Sequence, residues 1–419
     1  IAIEETTMRK LTRNLVLAAS VAAVCASAAY AEEKKMLEKP AVPTLGQVME
    51  ATGISVTGYI DASYTNLSGT GTFTGSGTTY CTNPGIGAPA PTSTCNRVFD
   101  TERRGFNLNA VDLTISALPP DGFGGMVNLT AGSDAKVITP AGTTNDEFDV
   151  TQAYVHFAKG SLMVIGGKYV TASGAEVIKS PSNTNFSRSI LFGYAIPFTH
   201  TGVRAYVTPG GNAAAPDGKW TFIAGVNNGW DVVKESSTAN TATDGKIASG
   251  KTLELGASGN ITKDLALAVV HYSGDENAGP TVGNRKLLDL VLTWNATDKL
   301  SFVLNYDQAE QQKALSGNRT AKWDGIAAYV NYKINDLWRL SFRTESFNDK
   351  DGYRTGVNSD TGGQKWKENT LTLAYLPTKN VELRGEVRYD DSNRSSFNYA
   401  DGTTKKNQNS FGLETIYKF

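Results

Sequence analysis

Cysteine and histidine are scarce in this chain, three of each in 419 residues. His156, His200 and His271 fall on separate predicted elements with no H-E-x-x-H or paired spacing. That argues against a metal centre, and no cofactor is expected. No G-x-S-x-G occurs, so the usual mark of a serine hydrolase is missing. Charge bias is absent as well. A formal net charge of −1 leaves no basic footprint for a nucleic acid. Beyond the N-terminal segment, no apolar run approaches the roughly 18–20 residues of a transmembrane helix. No long stretch has helical periodicity either.

The N-terminal segment accounts for one of the cysteines. Met8-Arg9-Lys10 through Arg13 is a basic start, Leu15 to Ala26 is apolar, and Ala29-Tyr30-Ala31 is a small-residue cleavage site. Residues 8–31 therefore read as a secretory signal cut before Glu32, with 1–7 upstream of the true start. Cys25 lies inside this leader, and Val24 before it is too bulky for a lipidation site. Cys81 and Cys95 remain, bracketing TNPGIGAPAPTST. An oxidising compartment favours a disulfide between them; two unrelated thiols are the alternative.

What the chain has in quantity is glycine, 42 residues, and strict alternation. After a polar linker with a short helical segment (32–53), a period-2 pattern runs from 54 to 419. The strand candidates are 54–66, 105–118, 123–136, 150–158, 161–170, 201–208, 219–227, 251–259, 265–273, 285–296, 299–308, 322–334, 337–347, 365–376, 379–390 and 408–419. Short connections such as Pro119-Pro120-Asp121-Gly122 and Asn335-Asp336 alternate with long ones at 67–104, 137–149, 171–200, 228–250, 274–284, 309–321, 348–364 and 391–407. This rhythm is that of an up-and-down meander whose long loops share one end.

VELRGEVRYD, from Val381 to Asp390, illustrates the faces. Glu382, Arg384, Glu386, Arg388 and Asp390 point one way; Val381, Leu383, Val387 and Tyr389 point the other. A soluble sandwich also has one oily and one polar face. About sixteen antiparallel strands, however, form a sheet too wide to stay open. Closing it removes the edges and leaves a lumen too wide for side chains to fill. The polar face then lines water and the oily face meets lipid, where only a helix or a closed barrel satisfies its backbone. The expected fold is an all-β, transmembrane, antiparallel barrel over 54–419, with fourteen and eighteen strands as alternatives. Aromatic residues expected at the ends of its lipid face include Tyr59, Tyr64, Trp220, Trp230, Tyr306, Tyr332, Trp366, Tyr375 and Tyr389.

The leader, the loop rhythm and the closing pattern Phe411-Leu413-Tyr417-Phe419 resemble those of bacterial outer-membrane porins. GYIDASYTNLSG, FDVTQAYVHFAKGSLMVIGGKYV and GAEVIKSPSNTNFSRSILFGYAIPFTHTGVRA are similar to the OmpL-like β-barrel porin family. The resemblance implies passive diffusion of ions and small hydrophilic solutes across the bacterial outer membrane. It also implies outer-membrane lipid around the barrel, assembly as a homotrimer, and a C-terminal signal at Tyr417 and Phe419 read by the outer-membrane assembly machinery. Thr415 departs mildly from that signal. In porins the third long loop commonly narrows the bore. Here that loop is 171–200, with a short helix expected over 187–194 and Glu176, Lys179, Arg188 and His200 as constriction residues. Arg204, Arg339, Arg343, Glu382, Arg384, Glu386 and Arg388 are the expected pore wall. The loop is mixed in sign and fixes no ion preference; packing outside the barrel is the alternative placement.

The rival functions are a substrate-selective channel of the same fold, a barrel hydrolase using His156 or His271, and an adhesin or structural barrel. Residues 245–252, GKIASGKT, match a P-loop letter for letter, but a strand pattern follows where a phosphate-binding helix is required. Asn348 to Gly352 is a calcium-loop fragment that reads equally as a solvated loop tip.

Overall fold

A computed structural model describes residues 49, 51–70, 97–102, 104–140, 147–234, 251–277, 282–355, 363–399 and 401–419. The leader and its cleavage site, most of the linker, and Cys81 and Cys95 lie outside the described residues. The chain divides into two units, Ile1–Met49 and Glu50–Phe419; the barrel is the second.

Its strands are β1 (Ser55–Leu67), β2 (Arg104–Ala117), β3 (Gly122–Ala131), β4 (Phe148–Lys159), β5 (Leu162–Val170), β6 (Thr199–Val207), β7 (Thr221–Asn227) and β8 (Thr252–Thr262). They continue with β9 (Leu265–Asn277), β10 (Val282–Asn295), β11 (Leu300–Leu315), β12 (Arg319–Lys333), β13 (Trp338–Asp349), β14 (Gln364–Tyr375), β15 (Val381–Ser392) and β16 (Asn407–Lys418). Each pairs antiparallel with its neighbours in sequence, and β1 pairs with β16, so the sheet closes on itself. Three short segments, Gly69–Thr70, Phe397–Tyr399 and Thr404–Lys405, form a separate small sheet. Two six-residue helices, α1 (Ser133–Ile138) and α2 (Ile190–Ala195), leave the wall.

Burial follows side-chain parity. Val387 is 53% exposed while its chain neighbours Glu386 and Arg388 are both 3% exposed. The charged ladder of β15 thus faces inward and its apolar partners face out. At the seam, Gly58 N donates to Phe419 O at 2.9 Å and Phe419 N to Gly58 O at 3.0 Å. A Cβ at Gly58 would overlap the Asp112 carbonyl oxygen and lie 2.6 Å from Phe419 Cζ. Glycine is needed here for close approach.

Four expectations need correction. The strand expected over 123–136 stops at Ala131, because Gly132 (φ 115) turns the chain into α1; a Cβ there would sit 2.7 Å from Asn109 O. The loops expected at 274–284 and 309–321 are mostly strand: β9 reaches Asn277, β10 starts at Val282, and only Ser316–Asn318 separate β11 from β12. Their outward residues turn polar (Asp275, Glu310, Gln312), so alternation fades although pairing continues. Tyr59, Trp366 and Trp230 do not belong to the lipid-facing aromatic set. Tyr59 (4% exposed) shares the inner face with Asp61, Trp366 (2%) with Glu368, and Trp230 (1%) lies in the connection after β7. The remaining correction concerns the lumen. Its long-loop half holds an apolar cluster that includes Phe192, Phe198, Trp230, Trp323, Phe347 and Trp366.

Gly58→Val is expected to cost about 1–3 kcal/mol through overpacking at the seam. The check is the heat-modifiable mobility of the folded barrel on a detergent gel: the folded band should be lost at a lower temperature than in the parent protein.

Candidate functional site

The connection between β5 and β6, residues 171–198, lies against inward-facing side chains rather than outside the wall. Gly174 N donates to Asp289 (3.1 Å) on β10 and Ala175 N to Asn305 (3.0 Å) on β11. Lys179 Nζ donates to Asp112 (2.9 Å) on β2, and Asn185 Nδ2 to Thr372 (2.7 Å) on β14. Ser180 Oγ bonds Glu414 on β16. Phe186 N and Ser187 N donate to the two oxygens of Glu386 on β15, at 2.7 and 3.1 Å.

Helix α2 starts where both ends of its local chemistry agree. Ser189 caps it by accepting from Phe192 N at 2.9 Å. Glu345 on β13 accepts from Ile190 N (2.7 Å) and Leu191 N (2.9 Å), two of the orphan donors of a first helical turn. Pro197 follows the helix and discourages its continuation. The helix forms at 190–195 rather than 187–194, because Ser189 is extended (ψ 154°) and serves as its N-cap.

The expected constriction residues fall into two groups. Glu176 is 5% exposed, 2.7 Å from Arg343 Nη1, and also accepts from Ser189 N. Arg188 does not reach water: its guanidinium donates to Phe186 O (2.9 Å) and Ile178 O (2.6 Å) and lies 3.8 Å from Asp134 of α1. Burial pushes the Asp134 carboxyl up to about 7. His200 belongs to β6, is fully covered, and stacks on Tyr272 with centroids 4.8 Å apart. Lys179 alone of the four is partly open, with 32% of its side chain exposed.

All seven expected wall residues face inward, but most are paired and covered. Arg343 joins Glu176 to Glu368 (2.9 Å) and donates to Ser187 O (2.6 Å). Arg384 joins Glu382 (2.7 Å) to Glu414 (3.0 Å) and donates to Asn183 O (2.8 Å). Arg388 bonds Asp390 and donates to Arg188 O (2.7 Å). Arg204 pairs with Glu254 (2.8 Å) across the lumen wall on β6–β8 and lies over the Tyr169 ring. Arg339, 22% exposed, bonds Glu382 at 2.6 Å. The expected pore wall left out Asp112, Glu345, Glu368, Glu414 and Lys418, all on the inner parity of their strands. It also missed Arg97, which enters from the β1–β2 connection to bond Asp390 and Ser410. Inner parity alone would have found the strand residues; nothing in the sequence places Arg97.

The tempting motifs dissolve. Thr252 of the P-loop match opens a strand, and 245–250 lie outside the described residues. Asp349 spends its carboxylate on Arg354 N, Thr355 N and the Thr355 hydroxyl, which makes it a turn cap. His156 sits 3.0 Å from Pro119 O, and His271 is on the outer parity of β9. Tyr417 and Phe419 also face outward at the short-turn end, each 49% exposed.

The family model described as "Putative beta-barrel porin-2, OmpL-like" matches residues 53–419. No curated protein matches the chain. Among solved structures, the anion-selective porin from Comamonas acidovorans superposes with a TM-score of 0.59 at 11% identity, covering 87% of this chain and 99% of that one. The outer membrane channel DcaP of Acinetobacter baumannii gives 0.56 at 12% identity, covering 87% and 97%. OmpT of Vibrio cholerae, in a trimer form, gives 0.54 at 12% identity, covering 87% and 99%. At these identities the likeness is one of fold.

Arg343→Met would leave Glu176 without a cation and Glu368 with Arg388 at 3.9 Å, and removing one partner of a buried pair costs about 3–5 kcal/mol. Amide hydrogen exchange at residues 176–191 should quicken while the barrel ladder stays protected. Unchanged exchange there would mean that the segment is held by other contacts.

Proposed function

The chain belongs to the OmpL-like β-barrel porin family, and from that premise we propose that it is a diffusion channel whose bore is set by residues 171–198. It is an outer-membrane channel rather than an enzyme. Ions and small hydrophilic solutes pass downhill, with no catalytic step, along water between the inner wall and this segment. The observation that carries the reading is the set of hydrogen bonds from the segment to inward side chains of β2, β10, β11, β13, β14, β15 and β16. A surface loop has no access to that set. Glu176 acts as an anchor of the segment, Arg188 as its internal clamp, and Lys179 as its water-facing charge.

Export follows from the leader at 8–31 with cleavage before Glu32. The Tyr417 and Phe419 rings are read by the assembly machinery. The apolar face of β2–β4, where Phe106 is 87% and Phe123 77% exposed, meets lipid or the neighbouring subunit of a trimer. A substrate-selective channel is the second reading. The apolar cluster around Phe192 and Trp323 favours it, because it leaves less of the lumen to water.

Planar-bilayer recording tests both. The intact protein should give stable ohmic steps. Replacing residues 175–195 with a short Gly-Ser linker should raise the step size. An unchanged conductance would mean that this segment does not set the bore, and saturation by one solute class would favour the selective channel.

A further inference from the structure

Although the inner-wall charges are mixed in sequence, they are not mixed in accessibility. On β15, the Glu382 carboxylate is 2% exposed and surrounded by cations: Arg339 at 2.6 Å, Arg384 at 2.7 Å and Lys418 at 3.7 Å. Arg339 and Lys418 keep 22% and 32% of their side chains open. On β2, Asp112 is likewise 2% exposed beneath Lys179, which keeps 32% open. The two groups belong to one arc. Lys418 on β16 and Asp112 on β2 both stand opposite Tyr59 on β1. The arc lies toward the short-turn end, since Lys418 is next to the last residue and Arg339 follows Trp338 at the start of β13.

Away from the arc, the inward positions Ala266, Ala268, Thr293 and Ser301 at that end are uncharged, and the one charge on the inner parity of β12 there, Lys333 opposite Arg339, is a further cation. Asp336 nearby sits on a turn tip, outside the wall, bonded to Lys333 at 2.7 Å. An ion in the lumen therefore meets ammonium and guanidinium ends first. The carboxylates lie behind them, farther away and already hydrogen-bonded. Rings of Lys and Arg at a narrow point favour anions, and partial burial leaves such charges less screened by salt than surface ones.

Resting on the diffusion-channel reading above, we infer that Lys179, Arg339 and Lys418 form an anion-attracting arc that makes the pore selective for small anions, chloride and short carboxylates among them. Carboxylate partners hold the arc in place without presenting negative charge to the water.

The test is the reversal potential of the intact protein in a potassium chloride gradient. Chloride should permeate several-fold better than potassium. Lys179→Gln should lower that ratio, and Lys179→Glu with Lys418→Glu should bring it below one and reverse the sign of the reversal potential. Lys418 is close to the C-terminal strand end, so each variant is first confirmed as folded by heat-modifiable mobility; Lys179→Gln tests the idea away from that end. Potassium preference in the parent protein, or a reversal potential unmoved in folded variants, would overturn this inference alone. Absence of any conducting step would overturn the channel reading and this inference with it.

Discussion

Hydrocarbon offers no partner to a peptide amide, so every strand that crosses it must be bonded on both edges. In this chain that requirement is met by sixteen strands in a single ring, with β1 against β16. Much else follows from the ring. Its circumference is too large for side chains alone to fill the centre. Residues 171–198 are chain that leaves the wall and returns along its inner side chains. That chain carries its own backbone donors into a confined space, where unpaired groups cost about 1–3 kcal/mol each. Glu345, Glu386 and Asp289 are placed to accept from them. The inner face is thus charged for two reasons: it is wet in part, and elsewhere it supplies acceptors to the inserted segment.

This accounts for the density of buried ion pairs around Arg343, Arg384 and Arg388. A buried guanidinium without a partner would be strongly unfavourable, and a pair of ions rarely stabilises more than a good apolar contact would. Their value is positional. Each arginine bonds carboxylates on the wall and backbone carbonyls of the segment at once, as Arg384 does with Glu414 and Asn183. Planar, multi-donor geometry makes arginine suited to this bridging, where a lysine would supply a point charge alone.

The barrel was legible because lipid on one side and polar surroundings on the other write a two-residue period. Each of the sixteen expected strands has a counterpart. The period fails where both sides become polar, which is why the extended β11–β12 hairpin read as a loop from Ala309 to Ala321. It also fails where the inner side turns apolar, as at Trp366 and Phe347, whose parity with Glu368 and Glu345 was the better guide than their oiliness. The site was legible as a set of inward residues and as a segment. The roles within it depend on which groups end up covered. Arg188 and Lys179 look equivalent in sequence, yet one clasps Phe186 O and Ile178 O while the other meets water. That difference arises from the path of the segment through three dimensions, which spacing does not encode.

The seam between Gly58 and Phe419 has a kinetic side. Its two edges come from opposite ends of the barrel sequence, so the bonds that seal the cylinder are the most sequence-distant it makes. Such contacts have a high loop-closure cost and form slowly. Until they form, β1 and β16 are both open edges able to capture a foreign strand. An incomplete cylinder is therefore an adhesive, short-lived species, and the period before sealing is when the polypeptide most needs a chaperone.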